Sequence, residues 1–453
     1  MAVRFKNILD MPCGIRYMYS NLDLISPLSV SMLLESEMET SKNKILLLYS
    51  NLSEFKSLMQ EGGKLFMIKD KIALHLSQLK DIRNSLKRIS EGVIADDIEL
   101  FEIKSLALIN QKIRDLLKEL DIKAITFPNI ENVLNLLDPD QNRITSFYIY
   151  DSYSTELKKL RERLKQDDSY NEETLYQCAI IEDKIRLRLS KEIKKEFIKL
   201  KDSLYNLSQL DILMAKALQL HALNLSIPTL SLSGIAYKEL FNPEVANILL
   251  KKGRDYQNTD ITVNLGKPLL ITGSNMGGKS LTLKTIALCQ YLFQFGFGIP
   301  AKSAFIIPVQ EVHLSSGDDE DYKKGLSSFA AEMKRIDKMI QKINEGSLLL
   351  SLTDEPARTT NPAEGQALAS ALLEILSRSQ IVSVVTTHYT IENENCDRLR
   401  VRGFIDGNMD YSLISDNMSQ TPAEALNIAA SLGVNSLWLE LARKELEKNL
   451  KHK

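Results

Sequence analysis

Little in this sequence could hold a fold together outside an ordinary packed core. Cysteine is scarce, and Cys13, Cys178, Cys289 and Cys396 are scattered with no CxxC pair among them. That excludes a zinc ribbon or disulfide framework and leaves reduced thiols, the pattern of a cytoplasmic protein. No apolar run approaches the roughly 20 residues that span a bilayer, and the N-terminal Met-Ala-Val-Arg-Phe-Lys lacks the apolar stretch of a signal peptide. A membrane is therefore not an expected partner. Nor is either sign of charge in excess: 57 Lys and Arg stand against 59 Asp and Glu, a formal charge of −2. A surface devoted to gripping nucleic-acid backbone usually carries a basic surplus, and none is visible overall. What is present, 453 residues that are 44% hydrophobic with a single Trp, suits a globular protein of two or three domains.

Glycine and proline are sparse up to about Gly234, and this region reads as helical. Ile68, Ile72, Leu76, Leu79, Ile82, Leu86 and Ile89 recur at spacings of three and four, which places them on one helix face. Similar runs cover Ile103 to Leu120, Glu156 to Leu164 and Glu182 to Leu223, as expected for helices packed on helices. Asp138-Pro-Asp-Gln-Asn142 is a turn, and Ile144 to Tyr150 reads as a short strand or an extended linker. Lys184, Arg186, Arg188, Lys191, Lys194, Lys195, Lys199 and Lys201 form the best candidate nucleic-acid surface. Glu182, Asp183, Glu192, Glu196 and Asp202 interleave with them at ion-pair spacing, so a self-paired solvated face is the better reading.

Beyond Ser231-Leu-Ser-Gly234 short apolar strands alternate with helical runs, the pattern of a sheet flanked by helices. Leu269-Leu-Ile-Thr runs into Gly273-Ser274-Asn275-Met276-Gly277-Gly278-Lys279-Ser280, and an amphipathic helix follows from Leu281 to Phe295. This is strand, phosphate loop and helix with G-x-x-x-x-G-K-[ST] spacing. Its glycines let backbone N–H groups face phosphate oxygens at a helix N-terminus. Lys279 would reach the β- and γ-phosphates and Ser280 would ligate Mg²⁺, so a nucleoside triphosphate is the expected ligand. Leu348 to Glu355 is a buried strand ending in two carboxylates, and Ile381 to His388 is another ending in a histidine. Such ends gather ligand groups in open α/β sheets. Asp354 suits the metal, Glu355 suits a general base for water, and His388 suits a hydrogen bond to the γ-phosphate or that water. His75, His221, His313 and His452 have no partners in view and are expected to be structural.

These stretches resemble the MutS family. Asn275-Met-Gly-Gly-Lys279 is more specific than a generic phosphate loop. Asp354-Glu-Pro-Ala-Arg-Thr-Thr-Asn-Pro-Ala-Glu-Gly365 is similar to the family's D-E-x-x-R-x-T-x-x-x-[DE]-G. Thr386-Thr-His-Tyr389 and Ser327-Ser-Phe-Ala-Ala-Glu-Met333 resemble two further motifs, Pro300 to Ala304 and Leu432-Gly-Val434 sit where the family has comparable pieces, and Leu210 to Ala215 resembles the close of its lever domain. The resemblance implies an α/β P-loop NTPase domain of ABC/MutS type preceded by an all-α lever or core domain. The expected bounds are 1–235 for the helical domain, 236–420 for the ATPase domain and 421–453 for a C-terminal dimerisation segment. It further implies ATP and Mg²⁺ as ligands and a homodimer or a heterodimer with a related chain. In that dimer Ser327 and Ser328 would reach the partner's nucleotide, and Tyr256 would stack on adenine.

Departures from the family shape the functional expectation. No mismatch-reading, connector or clamp domain is recognisable, and no small MutS-related endonuclease domain is found at the C-terminus. Repair proteins usually have Gly-Arg-Gly-Thr-Ser where this chain has Ala357-Arg-Thr-Thr-Asn361. Short relatives with the latter form reactivate cobalamin-dependent lysine or ornithine aminomutases. The sequence therefore leans slightly toward an ATP-dependent reactivating factor with an aminomutase client. A DNA-binding ATPase of mismatch repair or branched-DNA processing is the alternative.

Overall fold

Capping side chains set where two helices of the first half begin. In the computed structural model the described residues are 3–166, 172–273, 278–315, 328–405, 408–416, 426, 429–430 and 433–451. Ser26 accepts from the backbone N–H groups of Leu28 and Ser29 at 3.2 and 3.3 Å, and Pro27 opens the helix Pro27–Glu35. Asp96 and Glu99 form a reciprocal capping box ahead of the helix Asp97–Leu117, with N–H···carboxylate distances of 2.8 and 3.2 Å. That helix buries Leu100, Ile103, Leu106, Ala107 and Ile113. The apolar stripe from 68 to 89 is not one helix but two, Lys64–Leu76 and Arg83–Ser90. Asp81 interrupts it by accepting the Arg83 backbone N–H at 3.2 Å while it pairs with the Arg83 guanidinium, and Leu79 and Ile82 stay buried within the break. The run from Glu182 to Leu223 also divides, into Glu172–Lys195 and Phe197–Ala222. Ile144 to Tyr150 forms no strand.

By its internal contacts the chain divides into two units, residues 22–36 with 50–221, and residues 1–21 and 37–49 with 222–453. The division by contacts falls at 221/222, and the expected functional boundary lies at 235. The aromatic end of a helix in the second unit draws the early segments to it. Phe5 lies 5.0 Å from Phe295 and 5.5 Å from Phe297 between ring centroids. Tyr49 stacks on Phe293, and its hydroxyl is 2.9 Å from the Phe297 carbonyl oxygen. Burying these rings favours the arrangement by far more than any single polar contact here would.

Within the helical unit, Asp211 is held in place by backbone. It accepts from Ser26 N–H at 2.8 Å and from Ile25 N–H at 3.2 Å, tying the helix Phe197–Ala222 to the segment before Pro27. Burial raises its carboxyl above the ordinary value, and those backbone donors pull it back down. A second anchor is the fully buried pair of Lys104 and Asp138, 2.9 Å apart, with the Tyr150 hydroxyl 2.9 Å from the same ammonium and Arg143 N–H donating to Asp138 at 2.8 Å.

The second unit contains two sheets. One has the order β1 (Thr229–Leu230), β5 (Ser303–Ile306), β2 (Gly234–Leu240), β3 (Thr259–Asn264). The other has the order β10 (Asn408–Ser415), β9 (Asp397–Ile405), β4 (Leu269–Thr272), β8 (Val382–Thr386), β7 (Leu349–Asp354), β6 (Glu311–Ser315). In this larger sheet β10 is antiparallel to β9 and every other neighbouring pair is parallel. β4 and β8 are buried along their whole length, as is β7 up to Asp354. Their continuous apolar reading is the signature of strands covered on both faces.

Removing one member of the Lys104–Asp138 pair leaves the other charge buried and alone. Asp138→Ala is expected to lower the stability of the helical unit by about 3–5 kcal/mol, read as a shift of the denaturant midpoint by far-UV circular dichroism. Lys104→Met combined with Asp138→Leu should cost much less. Equal losses in both variants would refute this account of the pair.

Candidate functional site

The register across β4, β8 and β7 sets Ile271, Thr386 and Asp354 side by side, so three strands finish at one level. Thr386 sits between the other two. Its hydroxyl donates to Asp354 Oδ1 at 2.6 Å, and its carbonyl oxygen accepts the Glu355 N–H at 3.0 Å. Past β7 the backbone turns sharply, with Glu355 at φ +47° and Ala357 at φ +60° around Pro356. Each left-handed non-glycine residue costs on the order of 1–3 kcal/mol and persists only where its surroundings over-determine it. Ala357 is the position at which repair proteins of the resembling family usually have glycine.

The turn buries the Glu355 carboxylate and aims it across the sheet at Lys279. Lys279 Nζ lies 3.2 Å from Glu355 Oε1 and donates to the Gly273 carbonyl at 2.8 Å. The other carboxylate oxygen of Glu355 lies 3.8 Å from His388 Nδ1, and His388 is itself partly exposed beside Tyr389. Gly273 and Gly278 both have positive φ, +127° and +75°. A Cβ on Gly273 would come within 3.0 Å of Val401, so the loop's approach to β9 demands glycine. Gly278 caps the helix Lys279–Gln294, whose N-terminal N–H groups and dipole face the same end of the sheet.

The structure thus brings Lys279, Asp354, Glu355 and His388 together, with Ser280 exposed at the start of the helix Lys279–Gln294. Leu281 follows it, half-buried. Ser274, Asn275, Met276, Gly277 and Ser327 lie outside the described residues, as do the Ser328 side chain and the segment from Thr421 to Ala425. Tyr256 packs against the phosphate-loop helix. Burial raises its phenol above the ordinary value, and its hydrogen-bonding neighbours are the Asn242 backbone and the Thr285 side chain. Of the remaining histidines, His221 contacts the Lys56 carbonyl at 3.0 Å, and burial lowers the basicity of His75 and His313. His452 lies outside the described residues.

Ser280 and Asp354 offer oxygen donors, which suit Mg²⁺ rather than a softer ion. Among the described residues no group of three or more His, Cys, Asp or Glu could hold a metal by itself. Three residues that carry this geometry were quoted within motifs but given no role by sequence reasoning. Thr386 links both carboxylates, the Tyr389 hydroxyl lies 3.4 Å from the Ala357 carbonyl oxygen, and Glu332 accepts the Ala357 N–H at 3.2 Å. The only signal in the sequence was that each falls inside a conspicuous string.

Residues 269–402, from β4 to within β9, match the family described as MutS domain V. That stretch holds Lys279, Asp354, Glu355 and His388, and so the whole of the constellation described above. It is similar to "Endonuclease MutS2" of Caldanaerobacter subterraneus, 32% identical over 374 residues that make up 77% of this chain and 45% of that protein. Proteins of the same name from Pediococcus pentosaceus and Caldicellulosiruptor saccharolyticus are 31% identical over 261 residues and 35% identical over 212. Those alignments cover 54% and 46% of this chain, and 31% and 26% of the respective relatives. The chain thus spans less than half the length of each. No helix among the described residues is long and apolar enough to cross a membrane.

Gly365 marks the tightest packing in the site. A Cβ there would lie 2.4 Å from the Tyr389 hydroxyl and 2.9 Å from the Ala357 carbonyl oxygen. Gly365→Ala is expected to destabilise the unit that carries the site by about 1–3 kcal/mol through overpacking, measured by denaturant unfolding. A variant as stable as the parent would show that the turn moves freely.

Proposed function

We propose that this chain binds Mg·ATP in the Gly273–Ser280 loop, hydrolyses it, and uses the cycle to act on DNA as part of a MutS-like dimer. The observation that supports this best is the convergence of Lys279, Asp354, Glu355 and His388 at the aligned ends of β4, β7 and β8. Lys279 serves the β- and γ-phosphates, Ser280 and Asp354 hold Mg²⁺, and Glu355 takes the proton of the attacking water. His388 hydrogen-bonds the γ-phosphate or that water. Bound Mg²⁺ neutralises charge developing on the phosphate oxygens. Tyr256 supplies the adenine stack from beside the phosphate-loop helix.

The Lys279–Glu355 contact has a functional reading here. A γ-phosphate competes with Glu355 for the ammonium, so nucleotide binding releases the carboxylate toward water. Ser327 and Ser328 of a second copy, or of a related chain, complete each site. The helix Ser436–Lys451 leaves Leu437, Trp438 and Leu441 exposed, an apolar face that supports a dimer contact.

The sequence leaned toward an aminomutase client. The relatives named as endonucleases shift the balance to DNA, while the Ala357-Arg-Thr-Thr-Asn361 form and the lack of a recognisable mismatch-reading or clamp pattern favoured the protein client. Glu355→Gln is expected to slow turnover by about 100-fold or more and leave ATP affinity within a few-fold, measured by phosphate release and equilibrium nucleotide binding. Normal turnover would remove Glu355 as the base. Branched or duplex DNA should stimulate turnover, with binding that weakens steeply from about 50 to 200 mM salt. If DNA has no effect on turnover or nucleotide exchange even at low salt, the DNA reading fails and the aminomutase client becomes the one to test, by ATP-dependent recovery of inactivated enzyme.

A further inference from the structure

The turn that aims Glu355 is strained twice and is held from two sides. On one side β8 secures it, since Glu355 N–H donates to the Thr386 carbonyl at 3.0 Å and lies 3.1 Å from the Thr386 hydroxyl. On the other side the holder is not part of the sheet. Glu332, on the helix Ser328–Asn344, accepts the Ala357 N–H through Oε1 at 3.2 Å. Both residues are buried, Glu332 at 6% exposure and Ala357 at 0%. A carboxylate is costly to bury without a purpose. Burial raises the Glu332 carboxyl above its ordinary value, while the Ala357 N–H and then the charges of Arg335 and Arg358 draw it down. The Tyr389 hydroxyl lies 3.4 Å from the Ala357 carbonyl oxygen, so both polar groups of that peptide residue have partners.

We propose that Glu332 is a positioning residue for the catalytic base. By accepting the Ala357 N–H it holds the left-handed turn that points Glu355 at the reacting phosphate, and it ties that turn to the first turns of the helix Ser328–Asn344. The bond makes the base's position depend on that helix. A displacement at the start of the helix is carried through Glu332 to Ala357 and, across Pro356, to Glu355. Pro356 has a fixed φ and so transmits the movement rather than absorbing it. This rests on the reading of Glu355 as the base for ATP hydrolysis, and it adds a part that neither touches nucleotide nor lies on a strand end.

The test is a double-mutant cycle on the full chain, with turnover and nucleotide affinity both measured. Glu332→Ala is expected to lower kcat by about ten-fold or more while ATP affinity stays within two-fold. Glu332→Gln keeps an acceptor oxygen and should restore most of kcat. Glycine adopts positive φ without strain, so Ala357→Gly needs less holding. The cost of Glu332→Ala should therefore shrink in an Ala357→Gly background, a coupling that a purely structural defect would not produce. Should Glu332→Ala fail to fold, Glu332→Met preserves the volume without the acceptor and completes the cycle. The proposal is overturned if the alanine variant keeps its kcat, if the glutamine variant is equally impaired, or if the two costs add. Glu355→Gln, run in parallel, separates the two levels. If that variant turns over normally the hydrolysis reading falls, whereas a dead Glu355→Gln with a fully active Glu332→Ala removes only the role given to Glu332.

Discussion

The site depends on one threonine hydroxyl between two strands. Thr386 ends β8 between β4 and β7, and its Oγ1 donates to Asp354 while its carbonyl oxygen fixes the Glu355 N–H. Neither carboxylate can be placed by its own strand alone, because β7 stops at Asp354 and the chain then turns into a left-handed conformation. The buried strands on either side make this arrangement stiff. β4, β7 and β8 are covered on both faces, so a shift at their ends would open a packed core, which proteins resist. The strain at Glu355 and Ala357 is sustained by that stiffness. A looser sheet would let the turn relax toward ordinary φ and would swing Glu355 away from Lys279.

The legible parts of the site were those written in consecutive residues. The phosphate loop, the Asp354-Glu355 strand end and His388 each announce themselves within a few positions, because glycine spacing and a carboxylate after an apolar run have local physical causes. The capped start of the helix Asp97–Leu117 fell a few residues before the apolar run that signalled it. The helix break at Asp81 was missed because the apolar period continues through it: Leu79 and Ile82 remain buried although they are not helical. The allocation of residues 1–21 and 37–49 was illegible for a different reason. It depends on Phe5 and Tyr49 meeting Phe293, Phe295 and Phe297 far along the chain, 244 positions on for Tyr49 and Phe293 and farther for Phe5, and no local pattern encodes such a meeting. Glu332 belongs with these, since its partner Ala357 lies 25 residues on.

The charge pattern of the helical unit bears on how DNA could be held without a basic surplus. The charges along the helices Glu172–Lys195 and Phe197–Ala222 are paired, and the pairs are of two kinds. Arg186 is partly buried and bonded to Asp97 at 2.8 Å and to Asp183 at 2.8 Å, a cluster that raises its basicity and fixes its direction. Lys195 and Lys199 pair with Glu192 and Glu196 at 2.7 and 2.8 Å from side chains that are half or more exposed. The Lys195–Glu192 pair, exposed on both sides, contributes about 0–1 kcal/mol, so a phosphate can take Lys195 at almost no loss, whereas Glu196 is only 22% exposed and holds Lys199 more firmly. Arg186 cannot be released so cheaply. On the DNA reading proposed above, contacts along these helices would run through lysines that meet backbone phosphates, which position a duplex without reading its sequence. Contacts of that kind make affinity a matter of salt and of how many copies engage at once, so the DNA reading proposed above does not require a basic surplus in the single chain.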